Sequence, residues 1–268
     1  MKIYAISLIK NESDIIAQNL IAASKWADKI FVFDNGSTDG TWDIVKGLAS
    51  QKIIPYKSLD LPYRDSLRQQ VFESFRDELS NGDWICLKLD ADEFYWDDPR
   101  VFLSKQSGYV SLIKGLAIEF QYTEDNKEQD KNIFNPDDFE YCFIENFEER
   151  FFKYRKGLVW SCDNSLPTHP GVTGKHMIRF AHYQFRSKNQ ILKRLKVRKQ
   201  AISSGYSMYW ERDLEAGWED KIFDKKRLIK VKNLSEADSI IQTLNIKNNE
   251  GFLRRFIKRI MHGFKLWP

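Results

Sequence analysis

Across residues 1 to about 95 the chain alternates between short apolar runs rich in β-formers and segments with helical spacing. Lys2 to Ile9 reads as a strand, and Asn11 or Ser13 can cap a helix through about Lys25, with Ile15, Ile16, Leu20 and Ile21 at helical spacing. Lys29 to Phe33 predicts a second strand, and Trp42, Ile44, Val45 and Leu48 a second helix. Ile53 and Ile54 begin a third strand, Ser66 to Leu79 has the period of a third helix, and Asp83 to Leu89 is a fourth strand. This alternation leaves few folds open. Strands joined through helices form a parallel sheet with right-handed crossovers, so residues 1–95 predict a Rossmann-like half-fold. In such a sheet the carboxyl ends of the strands face one crevice, where ligands bind.

The residues at those ends are polar and specific. The first strand runs into Lys10-Asn11-Glu12, and the second into Asp34-Asn35-Gly36-Ser37-Thr38-Asp39-Gly40-Thr41. The fourth runs into Asp90-Ala91-Asp92-Glu93-Phe94. No GxGxxG follows the first strand and no GxxxxGK[ST] occurs, which disfavours ordinary NAD binding and P-loop chemistry. Asp34 can accept hydrogen bonds from a nucleobase or ribose, and Gly36 and Gly40 permit a tight turn. Asn35-Gly36 and Asp39-Gly40 are equally ordinary turn dipeptides. Asp90, Asp92 and Glu93 put three carboxylates within four residues, which calls for a cation. Oxygen ligands favour Mg²⁺ or Mn²⁺, ions that keep a few carboxylates, water and phosphate around them. The apolar run ends at Leu89, so the chain is expected to turn as it leaves the strand, with Asp90 and Asp92 serving one ion from that turn.

In order and spacing, these three segments resemble the family 2 glycosyltransferases and their GT-A fold, over roughly the first 95 residues. The fold class expected from the resemblance is α/β, with a Rossmann-like, mostly parallel central sheet flanked by helices and a helical carboxyl-terminal extension. The activity it implies is metal-dependent transfer of a sugar from a nucleotide-sugar donor, with inversion, to a glycan or lipid-linked saccharide. That chemistry belongs to cell-surface polysaccharide or lipopolysaccharide synthesis. By position, Glu12 and Asp34 with Asn35 would hold the nucleoside, Lys10 would meet phosphate, and Asp90 would lie near ribose or metal. Asp92 would bind Mn²⁺ or Mg²⁺ directly. A nucleotidyltransferase or metal-dependent phosphohydrolase could use the same carboxylates and is the alternative.

The second half is read more coarsely. Ala117 to Tyr122 and Phe151 to Tyr154 look like strands, and the acidic stretch between them reads as a mobile or solvated insertion over the site. An inverting transferase needs a carboxylate to deprotonate the acceptor, with Asp163 and Glu149 as candidates beside Glu145 and Glu148. His182, in Ala181-His182-Tyr183, is similar to a family histidine that completes the metal shell, and Arg186 to a diphosphate clamp. The domain expectation is a transferase domain over 1–220, divided into a donor half (1–95) and an acceptor half (96–190), followed by an extension over 221–268.

Composition narrows the classes further. The 268 residues are 42% apolar and 30% charged, a folded rather than disordered balance, and three widely spaced cysteines without a CxxC pair argue against a disulfide framework. Ile3 to Ile9 is too short for a signal-peptide core, which suggests a cytoplasmic protein. Between Lys175 and Lys199 there are nine Lys or Arg and no acid. A nucleic-acid module would explain that stretch but not the three strand-end motifs, so nucleic acid is not an expected partner. Phe252 to Trp267 places apolar residues at helical spacing among cations, the pattern of a helix lying on the inner face of an anionic membrane, and equally of one docked on the protein's own core or on a second subunit.

Overall fold

The computed structural model describes residues 1–61, 64, 66–129, 133–162, 164–203, 217–232, 234–243, 251–264, 266 and 267. The amino-terminal half follows the expected alternation: β1 (Ile3–Ile9), α1 (Ile16–Ala23), β2 (Lys29–Asp34), α2 (Thr41–Gly47), β3 (Ile53–Ser58), α3 (Ser66–Phe75) and β4 (Trp84–Cys86). Its strands lie in the order β3-β2-β1-β4, all parallel. Every residue of β1 is buried. Ile3, Ala5 and Ile9 join Ile15, Ile16 and Leu20 in one core layer, while Tyr4, Ile6 and Leu8 join Leu67, Val71, Phe72 and Phe75 in the other. A parallel strand covered on both faces reads as a continuous apolar run, which is what made β1 legible.

Two boundaries differ from the sequence reading. Helix α1 is capped by neither Asn11 nor Ser13: the Glu12 carbonyl accepts the first amides, from Ile15 at 3.1 Å and Ile16 at 2.9 Å. Asn11 adopts a left-handed conformation (φ 58°), and the Ser13 hydroxyl donates to Asp39 instead. Strand β4 stops at Cys86 rather than Leu89, although the amides of Leu87 and Leu89 still donate to the carbonyls of Arg150 and Ile6.

The carboxyl-terminal half comprises β5 (Glu93–Tyr95), α4 (Pro99–Ser104), β6 (Val110–Phe120), α5 (Glu124–Gln129), β7 (Tyr141–Lys153), β8 (Val172–Thr173), β9 (Ile178–His182), α6 (Lys188–Ser203), β10 (Ile229–Lys230), α7 (Leu234–Thr243) and α8 (Phe252–Gly263). It continues the same sheet as β4-β7-β6-β9-β5, with β8 beside β6 and β10 beside β7. Here the pairs β4/β7, β6/β7, β5/β9 and β7/β10 are antiparallel, so the sheet is mixed and "mostly parallel" describes only its first half. The long strands β6 and β7 return directly on each other, which only antiparallel pairing permits without a crossover.

The segment between β6 and β7 is not a solvated insertion. Phe134 and Phe139 are buried, with ring centroids 5.0 Å and 5.4 Å from Tyr183, and Phe134 stacks on Phe94 at 6.0 Å. Its acidic residues colour the exposed side of a segment that aromatics pin to the sheet. No helix among the described residues is long and apolar enough to cross a membrane.

One glycine admits a charge to the core. A Cβ on Gly115 of β6 would stand 2.6 Å from Arg150 Cγ and 2.7 Å from Phe180 Cε1, while the Arg150 guanidinium lies 3.9 Å over the Phe180 ring. Gly115→Ala is expected to destabilise the fold by about 1–3 kcal/mol through overpacking. Gly47→Ala, where the added Cβ meets nothing within 4 Å, is expected to be neutral or to stabilise by up to about 1 kcal/mol. Urea denaturation midpoints of the two variants check the opposite signs.

Candidate active site

The carboxyl ends of β1 and β2 are joined by side-chain to backbone bonds that the turn residues make to one another. Asn11 N donates to Ser37 Oγ at 2.8 Å, Asn11 Oδ1 accepts from Thr38 N at 2.8 Å, and Glu12 N donates to Thr41 Oγ1 at 2.8 Å. Asp39 accepts from Thr41 and Ser13. Gly36 sits at φ 75°, where a Cβ would lie 2.6 Å from Asp60 Cβ, so the turn after β2 needs glycine for both conformation and space. The polar residues of the second motif therefore build the wall of the crevice.

Asp34 is fully buried at the end of β2. Its Oδ2 accepts from Ser37 N at 3.1 Å and Ser58 Oγ at 2.6 Å, whereas Oδ1 is buried with no hydrogen-bond partner. A buried carboxylate oxygen without a donor is costly unless a ligand supplies one. Asn35 is spent on the wall, its Oδ1 accepting from Leu61 N at 3.2 Å, and Lys10 pairs with the exposed Asp60 at 2.9 Å.

The third motif is the turn the sequence required. Glu93 N donates to the Asp90 carbonyl at 3.2 Å, and Glu93 then opens β5 against β9. Its three carboxylates separate. Asp90 meets the buried Arg68 at 2.9 Å, and Glu93 is gripped by Arg150 with both carboxylate oxygens. Asp92, 6% exposed, faces three cations: His182 Nε2 at 3.5 Å, Arg186 at 3.8 Å and Arg194 at 3.9 Å. Burial alone would raise its pKa, but these neighbours hold it well below the usual carboxylate range. In turn, burial opposes the charged form of His182, yet Asp92 raises the imidazole to about 9.

Arg186, from the loop after β9, is buried and ties the two halves together. It contacts Glu12 at 2.5 Å, Asp14 at 2.8 Å and the Tyr183 carbonyl at 3.0 Å. Burial pushes the Glu12 carboxyl up to about 7 against the pull of Arg186. Glu149 lies on β7 facing Lys114 at 4.0 Å, while the adjacent Glu148 bonds Lys88 and Arg150. Asp163 lies outside the described residues. Sequence reading missed Arg68, Arg150, Arg194, Asp14 and Glu119. Arg150 carried a signal, a lone cation before the apolar run of β7, and Asp14 stood two residues from Glu12. Arg68 and Arg194 carried none that distinguishes them from other helix cations.

Asp92 Oδ2 and His182 Nε2 are spaced as two donors on one ion can be, since ligands about 2.1 Å from a metal can stand up to about 4 Å apart. His182 Nδ1 lies 4.0 Å from Glu119, an ion-pair separation longer than a hydrogen bond. Among the described residues, no group of three His, Cys, Asp or Glu could hold a metal alone. The pair fits a hard or borderline ion that completes its shell with water and phosphate oxygens.

No family model matches the chain. A 92-residue stretch is 35% identical to an uncharacterized glycosyltransferase of Rickettsia prowazekii. The resemblance is to a glycosyltransferase. It covers 34% of this chain and 28% of that relative, so the chain matches well under a third of the relative's length. Two solved structures show distant likeness. S. aureus TarS in complex with UDP is 16% identical, with a TM-score of 0.30, over 46% of this chain and 36% of that one. Mannosyltransferase PcManGT from Pyrobaculum calidifontis, solved with GDP-Man and Mn²⁺, is 11% identical, with a TM-score of 0.39, over 99% of this chain and 81% of that one. At these scores neither structure carries weight here.

The contacts of Arg186 with Glu12, Asp14 and the Tyr183 carbonyl fasten the two halves together. Arg186→Ala strands Glu12, Asp14 and Asp92 without their shared cation and is expected to cost about 3 kcal/mol of stability. An arginine kept only for a ligand would leave the denaturation midpoint unchanged, which is the result that would count against this role.

Proposed function

We propose that this protein is a glycosyltransferase that moves a sugar from a nucleotide-diphosphate sugar to a glycan or lipid-linked saccharide, on a GT-A-like fold. The observation that carries the reading is the buried, unpartnered Asp34 Oδ1 at the end of β2, at the same edge of the sheet as the Asp90–Glu93 turn that follows β4. A nucleoside ring N–H or ribose hydroxyl would supply the missing donor. The strand-end motifs and the glycosyltransferase relative support the same substrate class.

Within this reading each residue has a task. Asp34 takes the nucleoside, with Glu12 behind it in the Arg186 network. Asp90, fixed by Arg68, borders the ribose. Asp92 and His182 would hold Mn²⁺ or Mg²⁺ together with the diphosphate. A divalent ion bound there acts as a Lewis acid on the departing diphosphate. Arg194, partly buried, brings a positive charge to the same place, and charges held in position stabilise developing negative charge without reorganising. Inversion requires a base on the acceptor side, and Glu149 and Asp163 are the proposed carboxylates. The products would serve cell-surface polysaccharide or lipopolysaccharide synthesis.

The direct test is ligand-induced stabilisation, since a ligand that binds only the folded state raises the melting temperature. A nucleoside diphosphate or nucleotide-sugar is expected to shift Tm, and to shift it further with Mn²⁺. In Asp92→Asn the Mn²⁺ increment should vanish and the transfer rate should fall on the order of 10²–10³. No shift with any nucleotide would overturn the reading. Release of nucleoside monophosphate or inorganic phosphate in place of a glycosylated product would assign the site to nucleotidyl transfer or phosphohydrolysis.

A further inference from the structure

Helix α8 sits on the body with its faces reversed. Leu253, Phe256, Ile257, Ile260 and Phe264 recur at helical spacing and form one stripe, yet they are 38–76% exposed, and Leu266 just beyond is 65% exposed. Side chains of its other face meet the body. The Arg259 guanidinium lies 4.8 Å over the Tyr109 ring, and His262 meets Trp267, which stacks on His169 at 4.0 Å. A helix that completes a globular core turns its apolar stripe inward. Here the apolar stripe faces out, as the largest set of exposed apolar side chains along one described element. Such a patch marks a contact surface.

We propose that α8 with Phe264 and Leu266 is an interfacial surface that lies flat on an anionic lipid bilayer. The charge pattern selects this occupant. Arg254, Arg255 and Lys258 accompany the stripe along the helix, Arg259 being engaged on Tyr109, and α8 contains no acid. Interfacial helices insert an apolar face below the headgroups while cations along their flanks reach the lipid phosphates. A second copy of the chain would bring these cations against their own images around a twofold axis, which like-charge repulsion disfavours. The helix is too short and too charged to cross the bilayer.

The attachment lies away from the crevice. Helix α8 packs against β8, and Val172 of β8 pairs with Val110 at the start of β6. Because β6 and β4 are both antiparallel to β7, the start of β6 lies at the amino end of β4, opposite the Asp90–Glu93 turn. Membrane contact is therefore independent of donor binding and is tested apart from it.

The full-length protein is sedimented with vesicles of phosphatidylglycerol and phosphatidylcholine, and with phosphatidylcholine alone. It is expected to partition onto the anionic vesicles and much less onto the neutral ones. Phe256→Ser/Phe264→Ser should weaken partitioning at least about tenfold through lost apolar insertion. Arg254→Glu should weaken it at least about fivefold, the equivalent of one cation near an anionic surface. Both variants change outward-facing residues and should keep the wild-type melting temperature, while Asp92→Asn should bind vesicles as the wild type does. Failure of the wild type to bind anionic vesicles, or undiminished binding by Phe256→Ser/Phe264→Ser, would overturn the proposal. A dimer in solution that this variant converts to a monomer, without vesicle binding by the wild type, would overturn it in favour of a second copy.

Discussion

Burying carboxylates is expensive unless cations are buried with them, and this fold brings two such sets together at one crevice. Arg186 joins Glu12, Asp14 and Asp92, and Arg150 joins Glu93 and Glu148. In each set the arginine comes from the carboxyl-terminal half: Arg186 reaches acids of the amino-terminal half and of the β4–β5 turn, and Arg150 reaches Glu93 of that turn besides Glu148 on its own strand. The donor half supplies some of its own countercharge, as Arg68 does for Asp90, but Glu12, Asp14 and Asp92 are met from the second half. Gly115 belongs to the same constraint, since only the missing side chain leaves room for Arg150 between β6 and Phe180.

The same pairing divides the acidic turn. In sequence, Asp90, Asp92 and Glu93 are three similar groups within one short loop. In the structure each meets a different cation, from α3, from the β9–α6 region and from β7. Glu93 is drawn back into the sheet, Asp90 is fixed at the rim, and Asp92 alone faces an imidazole across a gap that an ion could fill. The separation arises from β5, which starts at Glu93 and pairs it with His182 on β9. Register, rather than local sequence, decides which acid faces the crevice.

This explains how far the sequence could be read. β1 and β2, buried on both faces, wrote their positions as continuous apolar runs, and Gly36 with Asp34 marked the turn that follows β2. The Asp90–Glu93 turn was legible for the same reason, as charge breaking out of an apolar strand. Arg68 and Arg194 were not legible, because an arginine turned inward from an amphipathic helix has the same spacing as one turned outward. The antiparallel half was not legible either. β6 and β7 run well beyond the apolar stretches that suggested them, and Phe134 and Phe139 looked like isolated aromatics in an acidic loop until Tyr183 arrived from far along the chain.

Helix α8 shows the limit from the other side. Its amphipathic pattern was plain, but pattern alone does not say which face meets the body, and contact through Arg259 and Trp267 reverses the usual answer. Its place at the amino end of the sheet also keeps it apart from the crevice at the carboxyl end. A seven-residue strand such as β1 spans about 20 Å, so the two surfaces stand roughly a strand's length from each other, and among the described residues neither shares side chains with the other.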